Sequence, residues 1–192
     1  MTFTRSVEPD PAPGPLADLF AADRRTWGYL PNLATTFGVR PDVYAAWRSL
    51  NGAIKSGMPA RRYELATLSA ALELRSSYCS LAHGAILAAE HLGEEEVVAL
   101  TAGVLDGLSP EDAAVVTLAA LIVRDAPGVT AEDLVPLRAA GFDDDEIFAV
   151  ILAVGARCFF STVLDATGTP PDAEFENLPA RLRDALTVGR PL

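Results

Sequence analysis

The chain is poor in most of the residue types that carry simple chemistry. It has two cysteines, Cys79 and Cys158, too few for a disulfide scaffold, and a reducing compartment suits a reactive thiol. It has two histidines, His83 and His91, and one lysine, Lys55. The other basic side chains are arginine, which reads as compositional bias of the source genome. Positive charge is scarce overall: the formal charge is −11 and the sequence pI about 4.5. Nucleic acid and anionic membrane both need a positive footprint, so neither is expected as a partner. No uninterrupted apolar run approaches the ~18 residues of a membrane span. The segment Met1-Thr2-Phe3-Thr4-Arg5 lacks a basic stretch followed by an apolar core, so a cytoplasmic location is expected. Period-two alternation is missing as well, which argues against strands.

What is present is a globular composition, with half the residues hydrophobic, in a chain of 192 residues long enough for one sizeable core. Apolar residues recur at three and four, so the expected class is all-α. A proline-rich arm, Glu8 to Pro15, precedes a short helix over about 16–25, and residues 1–27 read as arm and short helix ahead of a helical domain over 28–192. Helices are then expected at 33–37, from Pro41 to Gly57, from Pro59 to about Leu74, and from Ser76 to Leu92. Others open at Glu94, at Ser109-Pro110, at a Thr130 to Asp133 capping box, and over about 147–164 and 178–186. Ala113–Val123 and Ile147–Val154 are apolar enough to be buried in a bundle or covered by a second subunit, so a homo-oligomer is expected.

The most specific signal is Ser76-Ser77-Tyr78-Cys79-Ser80-Leu81-Ala82-His83, with Glu64 upstream. Cys79 and His83 stand at i and i+4 near a helix N-terminus, so their side chains share a face. A helix dipole and a neighbouring imidazole both favour a thiolate, which makes Cys79 a candidate nucleophile. His83 is then the candidate base. Glu64 lies at the edge of the stripe formed by Leu65, Leu68 and Leu72, and an inward carboxylate needs a partner. Its candidates are Arg61 or Arg75, or His83 itself. A metal held by Cys79, His83 and Glu64 has a weak zinc signature, and neither metal nor organic cofactor is expected.

These residues resemble the alkylhydroperoxidase D (AhpD)-like branch of the carboxymuconolactone decarboxylase family. That family places a glutamate on one helix and opens the next with Cys-x-x-Cys, three residues and a histidine. Glu64, Cys79 and His83 match the glutamate, the second cysteine and the histidine. Tyr78 fits the peroxidase-related subgroup, as do Gly28-Tyr29-Leu30-Pro31-Asn32, Pro41-Asp42 and the helix ending in Asp165-Ala166-Thr167-Gly168. The resemblance covers about 28–171. It implies an all-helical bundle that assembles as a dimer, trimer or hexamer. It also implies a thiol peroxidase taking a small hydroperoxide and a thiol reductant.

The sequence departs from the family at Ser76, which stands where the first cysteine belongs. A serine cannot resolve a sulfenic acid as a disulfide. Resolution is then left to Cys158, another subunit or a small thiol. Ser76 itself is either a helix cap or the hydroxyl end of a proton relay, and Cys158 is otherwise a packed core residue. Two alternatives to the peroxidase are a lyase like the namesake decarboxylases and a non-catalytic oligomer. The lyase needs arginines converging with His83 on an anionic substrate, and Arg75 is the only basic residue in the motif region.

Overall fold

Alanine- and leucine-rich segments become helices here wherever a proline or a polar cap starts them. The computed structural model describes residues 2–191, and no strand occurs among them. Ten α-helices follow in order: α1 Pro15–Trp27, α2 Asn32–Phe37, α3 Pro41–Ser56, α4 Ala60–Glu73, α5 Ser77–Glu90, α6 Glu94–Thr101, α7 Pro110–Asp125, α8 Val135–Ala139, α9 Asp144–Thr167 and α10 Ala180–Leu186. Pro15, Pro41 and Pro110 sit in first turns, where a missing N–H costs nothing. Ser109 caps α7 by accepting from the Asp112 amide at 3.1 Å. Asp143 and Glu146 form a reciprocal capping box on α9. Gly168 ends α9 in the left-handed region at φ 70°, which a side chain resists. Met1 and Leu192, the outer bounds of the arm and of the helical domain, lie outside the described residues.

Helix α4 is the centre of the molecule. It packs against α5, α7 and α9, and every residue from Arg62 to Ala71 is buried. The main core gathers around it, with Leu65, Leu68, Leu81, Val115, Leu118, Val150 and Val154. A second cluster holds Leu16 and Phe20 of α1, Phe37, Tyr44, Tyr78, Cys79 and Phe160. Helix α1 therefore packs into the same cluster as the motif cysteine.

Two expectations need correction. The Thr130–Asp133 capping box does not start an α-helix. Thr130 instead donates to Asp133 Oδ2 from its amide and its hydroxyl, both at 2.8 Å, and a 3-10 turn follows. Pro136 in the first turn lacks the N–H that would carry α-helix back toward Thr130, and Gly141 at φ 95° follows the last turn, so the α-helix is the five residues of α8. Ser76 stands at the cap position of α5, but its side chain makes no capping hydrogen bond. Helix α9 runs 24 residues and is long and apolar enough to cross a membrane by length and composition, although Arg157 interrupts its apolar run and half of the apolar window is buried inside the bundle.

The exposed side of α9 is apolar too. Phe148, Leu152 and Phe159 lie 58%, 40% and 45% exposed at spacings that keep them near one face.

Three segments far apart in the chain are tied together at a buried carboxylate. Asp172 is 3% exposed and accepts from the Tyr78 hydroxyl at 2.6 Å, the Asn32 amide at 2.7 Å and the Tyr29 hydroxyl at 3.1 Å. It links the loop before α2, the start of α5 and the segment after α9. Burial pushes its carboxyl up, and the three donors only partly offset that. Asp172→Ala leaves three donors without an acceptor. It should cost about 2–4 kcal/mol, read as a lower urea midpoint at an unchanged slope.

Candidate active site

The tight turn at Leu74-Arg75-Ser76 folds α5 back on α4, and the pairing of these helices sets the site. Arg75 carries the turn with a left-handed φ of 55°. Glu64 on α4 then faces His83 on α5. The Glu64 Oε2 to His83 Nδ1 distance is 2.6 Å, and Glu64 Oε1 accepts from Lys55 Nζ at 3.1 Å. Glu64 is 1% exposed. Burial works against its charge, but His83 and Lys55 outweigh that and hold the carboxyl below its ordinary range. Glu64 is therefore an ionised acceptor at neutral pH. His83 Nδ1 must carry the proton, which leaves the lone pair on Nε2.

His83 is also pushed down. Burial is the main cause, Arg157 adds to it, and Glu64 opposes both. The imidazole is thus neutral at pH 7, the state a base requires.

Cys79 is the third residue of α5 and 1% exposed. Its sulfur is reached by Arg157 Nη1 of α9 at 3.4 Å. Arg157 Nη2 donates to the Tyr63 hydroxyl at 3.5 Å, which in turn donates to Asn51 Oδ1 at 2.7 Å. Arg157 is 4% exposed. Burial disfavours its charge, yet Cys79 and Tyr63 hold the guanidinium above its ordinary range. A cation donating to the sulfur stabilises negative charge there, as the N-terminus of α5 does.

A cavity of about 250 Å³ opens over these groups, and Cys79, His83, Glu64, Lys55 and Arg157 all line it. The helices thus bring three of the predicted residues, Glu64, Cys79 and His83, to one wall. They do not bring Ser76 or Cys158 there. Ser76 is fully buried near the Asp165 carboxyl, without a hydrogen bond of good geometry. Cys158 packs on the main core, whereas Cys79 belongs to the other cluster, and burial pushes the Cys158 thiol up. The anticipated arginine partners of Glu64 are elsewhere. Arg61 binds Asp112 and the His91 carbonyl, and Arg75 donates to the Val188 carbonyl.

Arg157 and Lys55 escaped the sequence reading, though each had a signal. Arg157 is a charge inside the most apolar helix and had to find a partner. Lys55 is the only lysine, and it sits on the buried glutamate. The basic residues missing from the motif region arrive from α3 and α9. No cluster of three metal-ligating side chains occurs among the described residues.

Comparison with solved structures places this architecture. An alkylhydroperoxidase AhpD core structure, an uncharacterized peroxidase-related protein from Ralstonia eutropha JMP134, superposes with a TM-score of 0.78 at 20% identity, covering 91% of this chain and 94% of that one. An uncharacterized peroxidase-related protein from Silicibacter sp. TM1040 gives 0.71 at 20% identity, covering 91% and 98%. The debrominase Bmp8, as a cysteine-to-alanine variant in complex with 2,3,4-tribromopyrrole, gives 0.78 at 17% identity, covering 96% and 100%. The chain thus has the AhpD-like helical fold. No family model matches the sequence, and no curated protein matches it.

The His83 environment yields a titration test. Its midpoint, followed by NMR on the ring protons, should fall below the ordinary imidazole value of 6.5. Glu64→Gln removes the charge that opposes the downward push, so the midpoint should fall further. An upward move would show that Glu64 is not ionised beside His83.

Proposed function

We propose that this protein is a thiol-dependent oxidoreductase that reduces small hydroperoxides through Cys79. The observation that carries the reading is the Arg157 guanidinium on the Cys79 sulfur, in a cavity wall that also holds the Glu64–His83 pair. The Cys79 thiolate attacks the terminal peroxide oxygen. An S–O bond forms, the O–O bond breaks, and the departing alkoxide takes a proton to leave as the alcohol. His83 Nε2 accepts the thiol proton before attack and returns it to the alkoxide. Glu64 fixes the ring and its tautomer, and Arg157 holds negative charge on sulfur. The sulfenic acid then condenses with an external thiol, releasing water and forming a mixed disulfide. A second thiol frees Cys79 by exchange. An external thiol is the resolving agent because Ser76 has no sulfur and Cys158 packs elsewhere. Arg157 and Lys55 in the wall favour a second reading, a cofactor-independent lyase acting on an anionic acid.

Cys79→Ser decides between the two. It should abolish peroxide consumption, with a loss of 10³-fold or more on the order expected for removing a nucleophile. Retained activity would sink the thiol mechanism. Cys158→Ser should leave the first oxidation step unchanged in stopped flow. Ser76→Cys should raise turnover with a dithiol reductant.

We also propose a homo-oligomer built on the apolar side of α9. Light scattering should give a multiple of the chain mass, and Phe148→Glu with Leu152→Glu should shift it toward monomer. A wild-type monomer at micromolar concentration would refute this.

A further inference from the structure

The cavity is unlike the rest of the molecule in its side chains. Both tryptophans of the chain, Trp27 and Trp47, and three of its four tyrosines, Tyr44, Tyr63 and Tyr78, line it together with Phe160. Reducing a peroxide oxygen does not need such a wall. Two of these rings stack on each other, with a third behind them. Trp47 stacks on Phe160 with centroids 3.9 Å apart and planes 18° apart, and Phe160 stacks on Phe37 at 4.8 Å. Aromatic side chains gathered round a cavity take a further ring by offset-stacked or edge-to-face contact. The volume, about 250 Å³, lies just below the ~300–1,000 Å³ of drug-sized sites and fits one small molecule.

Two donors in the polar part of the wall lack an acceptor. Trp47 Nε1 and Arg157 Nε are both buried with no hydrogen-bond partner in the protein. A buried donor left unpaired costs about 1–3 kcal/mol, so two in one wall point to an acceptor brought by a ligand. Charge points the same way. The wall holds three cations, Arg48, Lys55 and Arg157, against two carboxylates, Asp23 and Glu64. Asp23 is bound by Arg48 and Tyr44, and Glu64 by Lys55 and His83. That leaves Arg157 without a carboxylate. With Cys79 as the thiol, this wall has surplus positive charge in a chain of net −11.

We infer that the cavity binds a small aromatic oxyanion, an aryl carboxylate or a phenolate. Its ring lies among the aromatic side chains, and its oxygen is held by Arg157 and Trp47. The inference goes beyond the peroxidase reading and does not depend on it, because binding is measured without peroxide. The oxyanion and the Cys79 thiolate compete for the same guanidinium, so bound ligand slows reaction at the sulfur.

Calorimetric titration of the full chain tests this with benzoate and 4-nitrophenolate as probes. Cyclohexanecarboxylate serves as a carboxylate without an aromatic ring, and benzyl alcohol as a ring without charge. At least one aromatic anion should bind about threefold or more tighter than both controls, and it should slow iodoacetamide alkylation of Cys79. Which of the two binds identifies the oxyanion. Trp47→Phe keeps a stacking ring but removes the N–H, and should weaken binding roughly fivefold. Arg157→Lys should weaken it more, because lysine loses the planar fork. If Arg157→Lys fails to fold, the ligand series and Trp47→Phe still decide. Failure of both aromatic anions to bind would overturn the proposal. So would a control matching them within threefold, or unchanged binding in Trp47→Phe. Peroxide consumption lost on Cys79→Ser, with no binding of these anions, would leave the peroxidase and remove the ligand.

Discussion

A carboxylate buried in the central helix is the constraint on which the site depends. Glu64 is almost wholly removed from water, where an ion without partners costs several kcal/mol. The fold meets that cost from two directions, with Lys55 at the end of α3 and His83 on α5. The His83 contact needs the α4–α5 turn to hold its register, and the Lys55 contact needs the α3–α4 turn to do so. Because Glu64 stays ionised, His83 is fixed in one tautomer and presents one nitrogen to the cavity. A single buried charge thus sets an orientation, a protonation state and the position of the neighbouring helix.

Arg157 is the second buried charge, and its placement follows similar logic. Helix α9 is apolar over most of its length, so one arginine within it must turn to a polar partner. Cys79 and Tyr63 are those partners. The guanidinium joins the α9 side of the cavity to the α4–α5 side, where Glu64 and His83 stand. It also depresses the His83 imidazole, so one cation serves both members of the proposed thiol–base pair. The two buried charges therefore act through each other as well as on the sulfur.

Outside this centre, the N-terminal segment completes the wall. Asp23 on α1 binds Tyr44 and Arg48 of α3, and all three line the cavity. Tyr78, next to the cysteine, is held by Asp172 from the segment after α9. The same fold accommodates proteins described as peroxidase-related and as a debrominase, so the helical frame does not by itself choose a reaction. The choice lies with the side chains that reach the cavity.

Local signals in the sequence determined the helical class, most helix boundaries, and the neighbourhood of Glu64, Cys79 and His83. Periodicity, prolines and caps act over a few residues, and Cys79 and His83 are one turn apart on one helix. The capping box at Thr130 misled because a proline downstream limited the helix it announced. Only the tertiary structure decided what surrounds the sulfur. Arg157 lies 78 residues from Cys79 in the chain. Lys55, Tyr63 and Trp47 likewise come from other helices, and no local pattern fixes how helices rotate against one another. Ser76 and Cys158 show the converse. Ser76 stands three residues from Cys79 and Cys158 stands next to Arg157, yet neither lines the cavity, because neighbours along a helix face different sides of it.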